Sequence, residues 1–320
     1  MHETSARTRH FSEFYGCDDD RGGAEPGSTR PLWLVVGNCQ AEALRLVIDG
    51  VEGRPYATVR MPPVHELEPS DLPALRRQLR KASVLLCQPI RPGYRELPLG
   101  TDELAAELPP GARVVRWPVI RYAGLHPFQA IVRHPADRSV VPPVVPYHDL
   151  RTVVAARDGR SDTAEWDVAV DPQGFVAVAN ASQAELAHRE ARQCDVGISD
   201  VLREYGAGAA HTINHPGNRV LTELGRRILR TLDVDLPVDE PYTTLLGSVT
   251  APLERRVLDA LHLTAPARPG WVMNGEALQP DAVHRAQLQW YRDNPDFVGL
   301  ALARHAHTLD MLGLGSANAA

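Results

Sequence analysis

The sequence predicts an α/β fold, a mostly parallel central sheet flanked by helices with a helical C-terminal extension, and three observations predict it. Between residues 31 and 120, short continuous apolar runs alternate with stretches of helical spacing, the pattern of strands buried on both faces and covered by helices. A strongly amphipathic stretch lies at Asn218 to Leu232, and beyond Pro241 the spacing is mostly helical. The chain's 320 residues, 43% hydrophobic and 23% charged, can bury a sizeable core without disulfides or a structural metal, which excludes small stapled scaffolds, collagen-like repeats and wholly disordered chains. The organisation expected is a mobile leader over 1–30, an α/β domain over 31–240 that carries the candidate chemistry, and a helical extension over 241–320 packed on it.

Residues 1 to 30 are rich in Arg, Asp, Gly, Ser and Thr and lack periodicity, hence the leader. Leu32 to Val36 is a continuous apolar run that ends at Gly37, after which Glu42 to Ile48 has helical spacing, a strand-turn-helix unit. Tyr56 to Met61 reads as a second strand, Asp71 to Ala82 as a helix, Val84 to Cys87 as a third strand, Thr101 to Leu108 as a helix and Arg113 to Trp117 as a fourth strand. Prolines crowd residues 118 to 150, so that stretch runs neither as helix nor as central strand. Ser182 with Glu185 forms a capping-box pattern that opens a helix through about Gln193, and Asp200 to Tyr205 reads as another helix closed by Gly206. Ala209 to Ile213 reads as a strand. Val220, Leu221, Leu224, Ile228 and Leu232 share one face of the amphipathic helix. Pro252 to Leu263, Asp281 to Arg292 and Asp296 to Leu312 complete the helical tail.

Forty acidic against 34 basic residues give a net charge of -6 with no block of one sign, which argues against nucleic acid as a partner. Runs such as Leu32 to Val36 are far short of the roughly 20 residues that span a bilayer, and the N-terminus has no apolar core of a secretory signal. The expected compartment is the cytoplasm, and a homo-oligomer is allowed. Cys17, Cys39, Cys87 and Cys194 lie far apart with no CxxC pair, so neither a zinc ribbon nor a disulfide framework is indicated. No metal-ligand spacing appears and no metal is expected: His305 and His307 are two apart on a predicted helix and face different ways. GxGxxG, P-loop and GxSxG sequences are absent.

Two strand-to-helix junctions carry the candidate chemistry. In Gly37-Asn38-Cys39-Gln40 the cysteine sits where a parallel strand meets a helix N-terminus, whose partial positive charge is expected to lower the thiol pKa and make Cys39 a nucleophile. Asn38, Gln40 and nearby backbone amides are then candidate oxyanion donors; a buried, inert cysteine is the competing reading. In His211 to Asn218, Asn214 or His215 is expected to cap the amphipathic helix, with Pro216 in its first turn. His215 would then face the sheet edge as a neutral base, unless it is an idle capping residue. Gln88, after the third strand, is a further amide donor, while Cys87 is expected to point into the core. His126 and His148, the latter beside Asp149, lie in the irregular stretch and are expected to line a substrate entrance or cap turns.

Taken in order, Gly37 to Leu44, Gln88-Pro89, Gly124 to Pro127, Tyr147 to Asp149, Arg189-Glu190 with Asp195 to Asp200, and His211 to Pro216 resemble the WcbI-like family of capsular polysaccharide biosynthesis proteins over roughly residues 31 to 235. The resemblance implies an α/β fold, coenzyme A or an acyl-CoA (or a carrier thioester) as donor ligand, and transfer of an acyl group, typically acetyl, to a hydroxyl of a sugar or related small molecule. A more distant likeness to SGNH hydrolases puts Cys39 near the place of their nucleophilic serine, with His215 as base. The alternatives are an ester or thioester hydrolase and a non-catalytic coenzyme A-binding protein. Phosphates of the coenzyme call for arginines; Arg121, Arg133, Arg189 and Arg192 lie near the matched motifs.

Overall fold

The computed structural model describes residues 6–16, 30–160 and 166–315. Strands are β1 Leu32–Val36, β2 Ala57–Thr58, β3 Ala82–Cys87, β4 Arg113–Arg116, β5 Gln129–Ala130, β6 His148–Asp149, β7 Ala210–Thr212, β8 His215–Pro216, β9 Val249–Thr250, β10 Trp271–Met273 and β11 Glu276–Leu278. Helices are α1 Ala6–His10, α2 Ser12–Tyr15, α3 Cys39–Asp49, α4 Leu72–Leu79, α5 Thr101–Ala105, α6 Leu150–Arg157, α7 Pro172–Gln193, α8 Asn218–Thr231, α9 Arg255–Ala260, α10 Pro280–Asp293, α11 Asp296–Arg304 and α12 Ala306–Met311. These elements form two units. One comprises Met1–Val119 as far as described, Ala187–Val201 and Gly217–Leu246; the other comprises Ile120–Leu186, Leu202–Pro216 and Gly247–Ala320 as far as described. The chain thus returns to its first unit twice, which a linear division near residue 240 does not capture.

In the first unit β1 to β4 make a wholly parallel sheet in the order β2-β1-β3-β4. Leu34, Val36, Leu85 and Leu86 are fully buried, as continuous apolar strands in a covered parallel sheet are. The register pairs Val36 with Cys87 and Cys87 with Arg116, so the chain leaves β1 at Gly37 and β3 at Gln88 side by side. β2 is shorter than the sequence suggests: only Ala57 and Thr58 pair, while Tyr56 stacks its ring on Trp33 at 3.7 Å and donates its hydroxyl to the Ile48 carbonyl at 2.9 Å. α8 buries Val220, Leu221, Leu224 and Ile228, the face its spacing predicts.

The expected mobile leader is not what residues 6–16 form. α1 and α2 fold there, and Phe14 is fully buried in one cluster with Leu75, Leu79 and Leu85. Aromatic residues spaced through Phe11, Phe14 and Tyr15 give this short stretch an apolar side that composition alone hides. Residues 1–5 and 17–29 of the leader, with Cys17, lie outside the described residues.

The second unit is assembled from small pieces. The proline-rich stretch stays irregular, as expected, apart from an antiparallel pairing of β5 with β6. It ends at α6, which the sequence reading missed; Asp149 caps that helix by accepting from the Arg151 amide at 2.8 Å. α7 begins at Pro172, ten residues before the expected capping box, and the Ser182 hydroxyl accepts from the Ala123 amide at 2.9 Å instead. Residues 199–208 hold two single 3-10 turns, not the α-helix expected at 200–205.

The region after Pro241 is not purely helical, because β9, β10 and β11 form an antiparallel sheet. Its hairpin turns on Asn274-Gly275, with φ of +50° and +86°, between partners Met273 and Glu276. Asn-Gly is the strongest two-residue hairpin signal, since both positions need left-handed backbone. The helix expected at 252–263 shrinks to α9.

Candidate functional site

Cys39 is the first residue of α3, and Asn38 caps that helix: its side-chain oxygen accepts from the Gln40 amide at 2.9 Å. Gln88, 2% exposed, reaches across from the end of β3. Its oxygen accepts from the Asn38 amide at 2.9 Å and its nitrogen donates to the Gln40 side-chain oxygen at 3.2 Å. A Cβ at Gly37 would stand 2.6 Å from the Gln88 oxygen, so any side chain there would push the Gln88 amide off the Asn38 amide. The adjacent ends of β1 and β3 therefore hold the Gly37–Gln40 turn rigidly from below. Asn38, Cys39, Gln40 and Gln88 do come together, but Gln40 and Gln88 are buried and their amides point at each other and at the turn.

Above the turn lies a cavity of about 320 Å³, at the lower end of the range for small-molecule pockets. Cys39, Asn38, Glu42, Arg45, Arg60 and Glu66 line it, together with His10 and Phe11 from the N-terminal segment. Arg45 grips Glu42 with two hydrogen bonds of 2.7 and 2.9 Å, and Arg60 stands 3.3 Å from the same carboxylate. These two arginines bring positive charge to the cavity wall beside the carboxylates of Glu42 and Glu66, while Arg189 bonds the Val119 carbonyl at 3.2 Å. A signal for Arg45 existed, nearly two turns into the helix that Cys39 opens. None existed for Phe11.

The thiol is shifted opposite to the expectation. Burial pushes the Cys39 pKa up, the Cys39 and Gln40 backbone amides pull it down by less, and the Glu66 charge raises it further. Desolvation of a thiolate outweighs two amide dipoles here. Cys87 is fully buried, as expected, and its thiol is pushed up to about 12 by burial.

His215, Asn214, His126 and His148 belong to the second unit. His215 and Pro216 do not open α8. They form β8, which pairs with β7 in a tight hairpin across Ile213 and Asn214, and Gly217 takes the cap position. Neither strand belongs to the parallel sheet, so His215 is not at a strand end equivalent to that of Cys39. Tyr147 organises this hairpin. Its hydroxyl donates to the Asn214 side-chain oxygen at 2.9 Å and lies 3.2 Å from the Thr212 hydroxyl, and its ring meets the His215 ring edge-on at 6.5 Å. Tyr147 stood in the Tyr147-His148-Asp149 motif but was not among the predicted site residues.

The other two histidines are buried, and both border a small cavity of about 30 Å³ in the second unit. His126 places its ring nitrogens 2.9 Å from the Pro252 carbonyl and 3.3 Å from the Ala210 carbonyl, and burial pushes its pKa down to about 4. His148 lies 2.5 Å from the Tyr291 hydroxyl among the rings of Trp290, Tyr291 and Phe297, with its pKa likewise pushed to about 4 by burial. Asp149 instead serves Arg151, which is 5% exposed and also bonded to Asp167 and Glu254 at 2.8 and 2.9 Å. Among the described residues no group of three or more His, Cys, Asp or Glu side chains is placed to hold a metal ion, and no helix is long and apolar enough to cross a membrane.

Residues 32–237 match the family of the polysaccharide biosynthesis enzyme WcbI. The chain belongs to the WcbI family. Its fold is similar to that of a solved structure of WcbI, described as a novel polysaccharide biosynthesis enzyme in its native form without a disulfide bond between coenzyme A and a cysteine. The TM-score is 0.72 at 18% identity, covering 90% of this chain and 100% of that one. No curated protein matches the chain. WcbI membership makes this a polysaccharide biosynthesis enzyme and agrees with the parallel α/β sheet; His10 and Phe11, which line the cavity along with Cys39, precede the matched region.

Proposed function

We propose that this protein transfers an acyl group from a coenzyme A thioester to a hydroxyl of a saccharide, with the reactive end of the donor held in the cavity beside Cys39. The observation that carries this reading is the cavity itself: a thiol at a strand-helix junction, opening into about 320 Å³ of space with arginines on the wall, in a chain of a polysaccharide biosynthesis family. The description of the WcbI structure in terms of coenzyme A and a cysteine supports Cys39 as the residue nearest the donor's sulfur. Cys87, by contrast, is fully buried.

We take direct attack by the acceptor hydroxyl as the route because it moves the acyl group in one step. Acylation of Cys39 would need a base to take the thiol proton, as direct transfer needs one for the hydroxyl. The bond formed is acyl to oxygen, the bond broken is acyl to sulfur, and the hydroxyl proton ends on the coenzyme thiolate by way of the base. His215 is proposed as that base on its motif alone, and its test is separate from that of Cys39.

The experiment is turnover of acetyl-CoA with and without a panel of saccharides, alongside mass spectrometry of the Cys39 peptide. Acceptor-dependent release of coenzyme A with an unmodified Cys39 is expected, and His215→Ala should lower the rate by roughly 10² to 10⁴ fold. Release at the same rate without acceptor would make the protein a hydrolase; tight binding with no turnover would make it a binding protein; an acetylated Cys39 peptide on the reaction time scale would restore the covalent route.

A further inference from the structure

We propose that Phe11 sets the size of the group that can reach Cys39, so that the N-terminal segment determines donor selectivity. The biological meaning rests on the proposed donor reading of the cavity; the geometry and the first arm of the test do not.

The segment that carries Phe11 is anchored, and the anchors are specific. Arg7 donates to Asp71 at 2.9 Å and to the Glu66 carbonyl at 2.9 Å, and the Tyr15 hydroxyl donates to the same Asp71, which is 3% exposed, at 2.6 Å. Gln78 donates to the Glu13 and Phe14 carbonyls, each at 3.0 Å, and Arg77 to the Phe14 carbonyl at 3.1 Å. With Phe14 fully buried, these contacts fix α1 and α2 against α4 and the turn before it. The residues between the anchors, His10 and Phe11, are thereby placed on the wall of the cavity that Cys39 opens into.

The Phe11 ring is itself confined. His10 meets it edge-on at 4.6 Å, and the guanidinium carbons of Arg7 and Arg60 lie 5.9 and 5.8 Å from its centroid, favourable placements for cations on an aromatic ring. Part of its surface packs against the buried cluster that contains Val64 and Met61, and part faces the cavity. An aromatic side chain with few rotamers, held from several sides, is a stiff wall. In a cavity of about 320 Å³, one phenyl ring more or less is a large fraction of the room. A small acyl group fits under such a wall, and a longer one meets the ring.

The test uses the full chain and two thiol reagents of different size, iodoacetamide and N-phenylmaleimide, with modification of the Cys39 peptide followed by mass spectrometry. Phe11→Ala is expected to raise the ratio of bulky-reagent to small-reagent rate about tenfold, Phe11→Leu to stay within about threefold of the wild type, and Phe11→Trp to lower the ratio. A ratio unmoved by Ala and Trp overturns the proposal, and so does an equal acceleration of both reagents in Phe11→Ala, which would show the segment detaching. The second arm compares binding of acetyl-CoA and hexanoyl-CoA by calorimetry, where Phe11→Ala should shift the preference towards hexanoyl. A changed reagent ratio with neither coenzyme bound by any variant would remove the donor reading and leave the wall in place.

Discussion

Replacing Gln88 with leucine tests whether the Gly37–Gln40 turn is held from beneath. Leucine fills nearly the same volume, so no cavity opens, but two hydrogen bonds vanish: the Asn38 amide loses its 2.9 Å acceptor and the Gln40 side-chain oxygen its 3.2 Å donor. Both sit in a site where Gln88 is 2% exposed, with little room for water to replace the amide. Two polar groups left unpaired cost about 1–3 kcal/mol each, and the added apolar contact of leucine offsets about 1 kcal/mol, so a net loss of about 1–5 kcal/mol is expected. Urea unfolding should show a lower midpoint with an unchanged slope, and a thermal scan a Tm lower by about 2–15 °C. The same variant should change the rate at which iodoacetamide modifies Cys39, because the sulfur's position depends on the turn. Gln40→Leu in the Gln88→Leu background should cost less than it does alone, since the Gln40 oxygen is then already without that donor. A loss below about 0.5 kcal/mol together with an unaltered modification rate would refute the argument.

Further outcomes follow from the site and the second unit. Iodoacetamide modification of Cys39 should keep accelerating above the pH at which an ordinary thiol levels off, because burial raises its pKa; Glu66→Gln should move that profile to lower pH, and a profile below the ordinary thiol value would contradict the desolvation account. His126 and His148 are pushed down to about 4 by burial, from an ordinary value of 6.5. Between those values the unfolded chain binds more protons than the folded one, so their contribution is complete above about pH 6.5 and is lost as the pH falls towards 4. The loss is at most about 3 kcal/mol per histidine. Urea midpoints at pH 7 and pH 5 check this, and equal midpoints would count against it. Arg151→Ala takes the cation from Asp149, while Arg256 still bonds Asp167 and Glu254 at 2.7 and 2.8 Å, at a cost of about 1–3 kcal/mol; calorimetric melting reads the loss, and Arg151→Ala with Arg256→Ala should cost more than the sum of the two single changes.

The parallel sheet was legible because its strands are short apolar runs with helical spacing between them, a pattern with few other solutions. α8 was legible because five apolar residues recur on one face. Other elements were hidden for identifiable reasons. Phe14 buries a segment whose composition is that of a solvated tail, and a single buried aromatic leaves no periodicity to detect. The β10–β11 hairpin had a local signal in Asn274-Gly275, but its strands pair over only three residues each, too few for alternation to stand out against the surrounding helical pattern. The returns of Ala187–Val201 and Gly217–Leu246 to the first unit are long-range facts with no local signature.

The same distinction separates what the site motif disclosed from what it concealed. Residue types and junctions placed Asn38, Cys39, Gln40 and Gln88 together, because a parallel register brings the ends of β1 and β3 side by side. The direction of each amide was not legible, since a glutamine has donors and an acceptor and serves a ligand or a neighbouring backbone equally well. Once Gln88 is committed to the Asn38 amide and to Gln40, its amide, first assigned to an oxyanion, serves as scaffold of the turn. The thiol follows the same logic. A helix N-terminus favours thiolate, yet the apolar burial at the junction disfavours it more, so the feature that fixes the sulfur in place also raises its pKa. Whether such a sulfur positions a donor or attacks it is read from the rate of Cys39 acylation by acetyl-CoA alone, measured against turnover with acceptor.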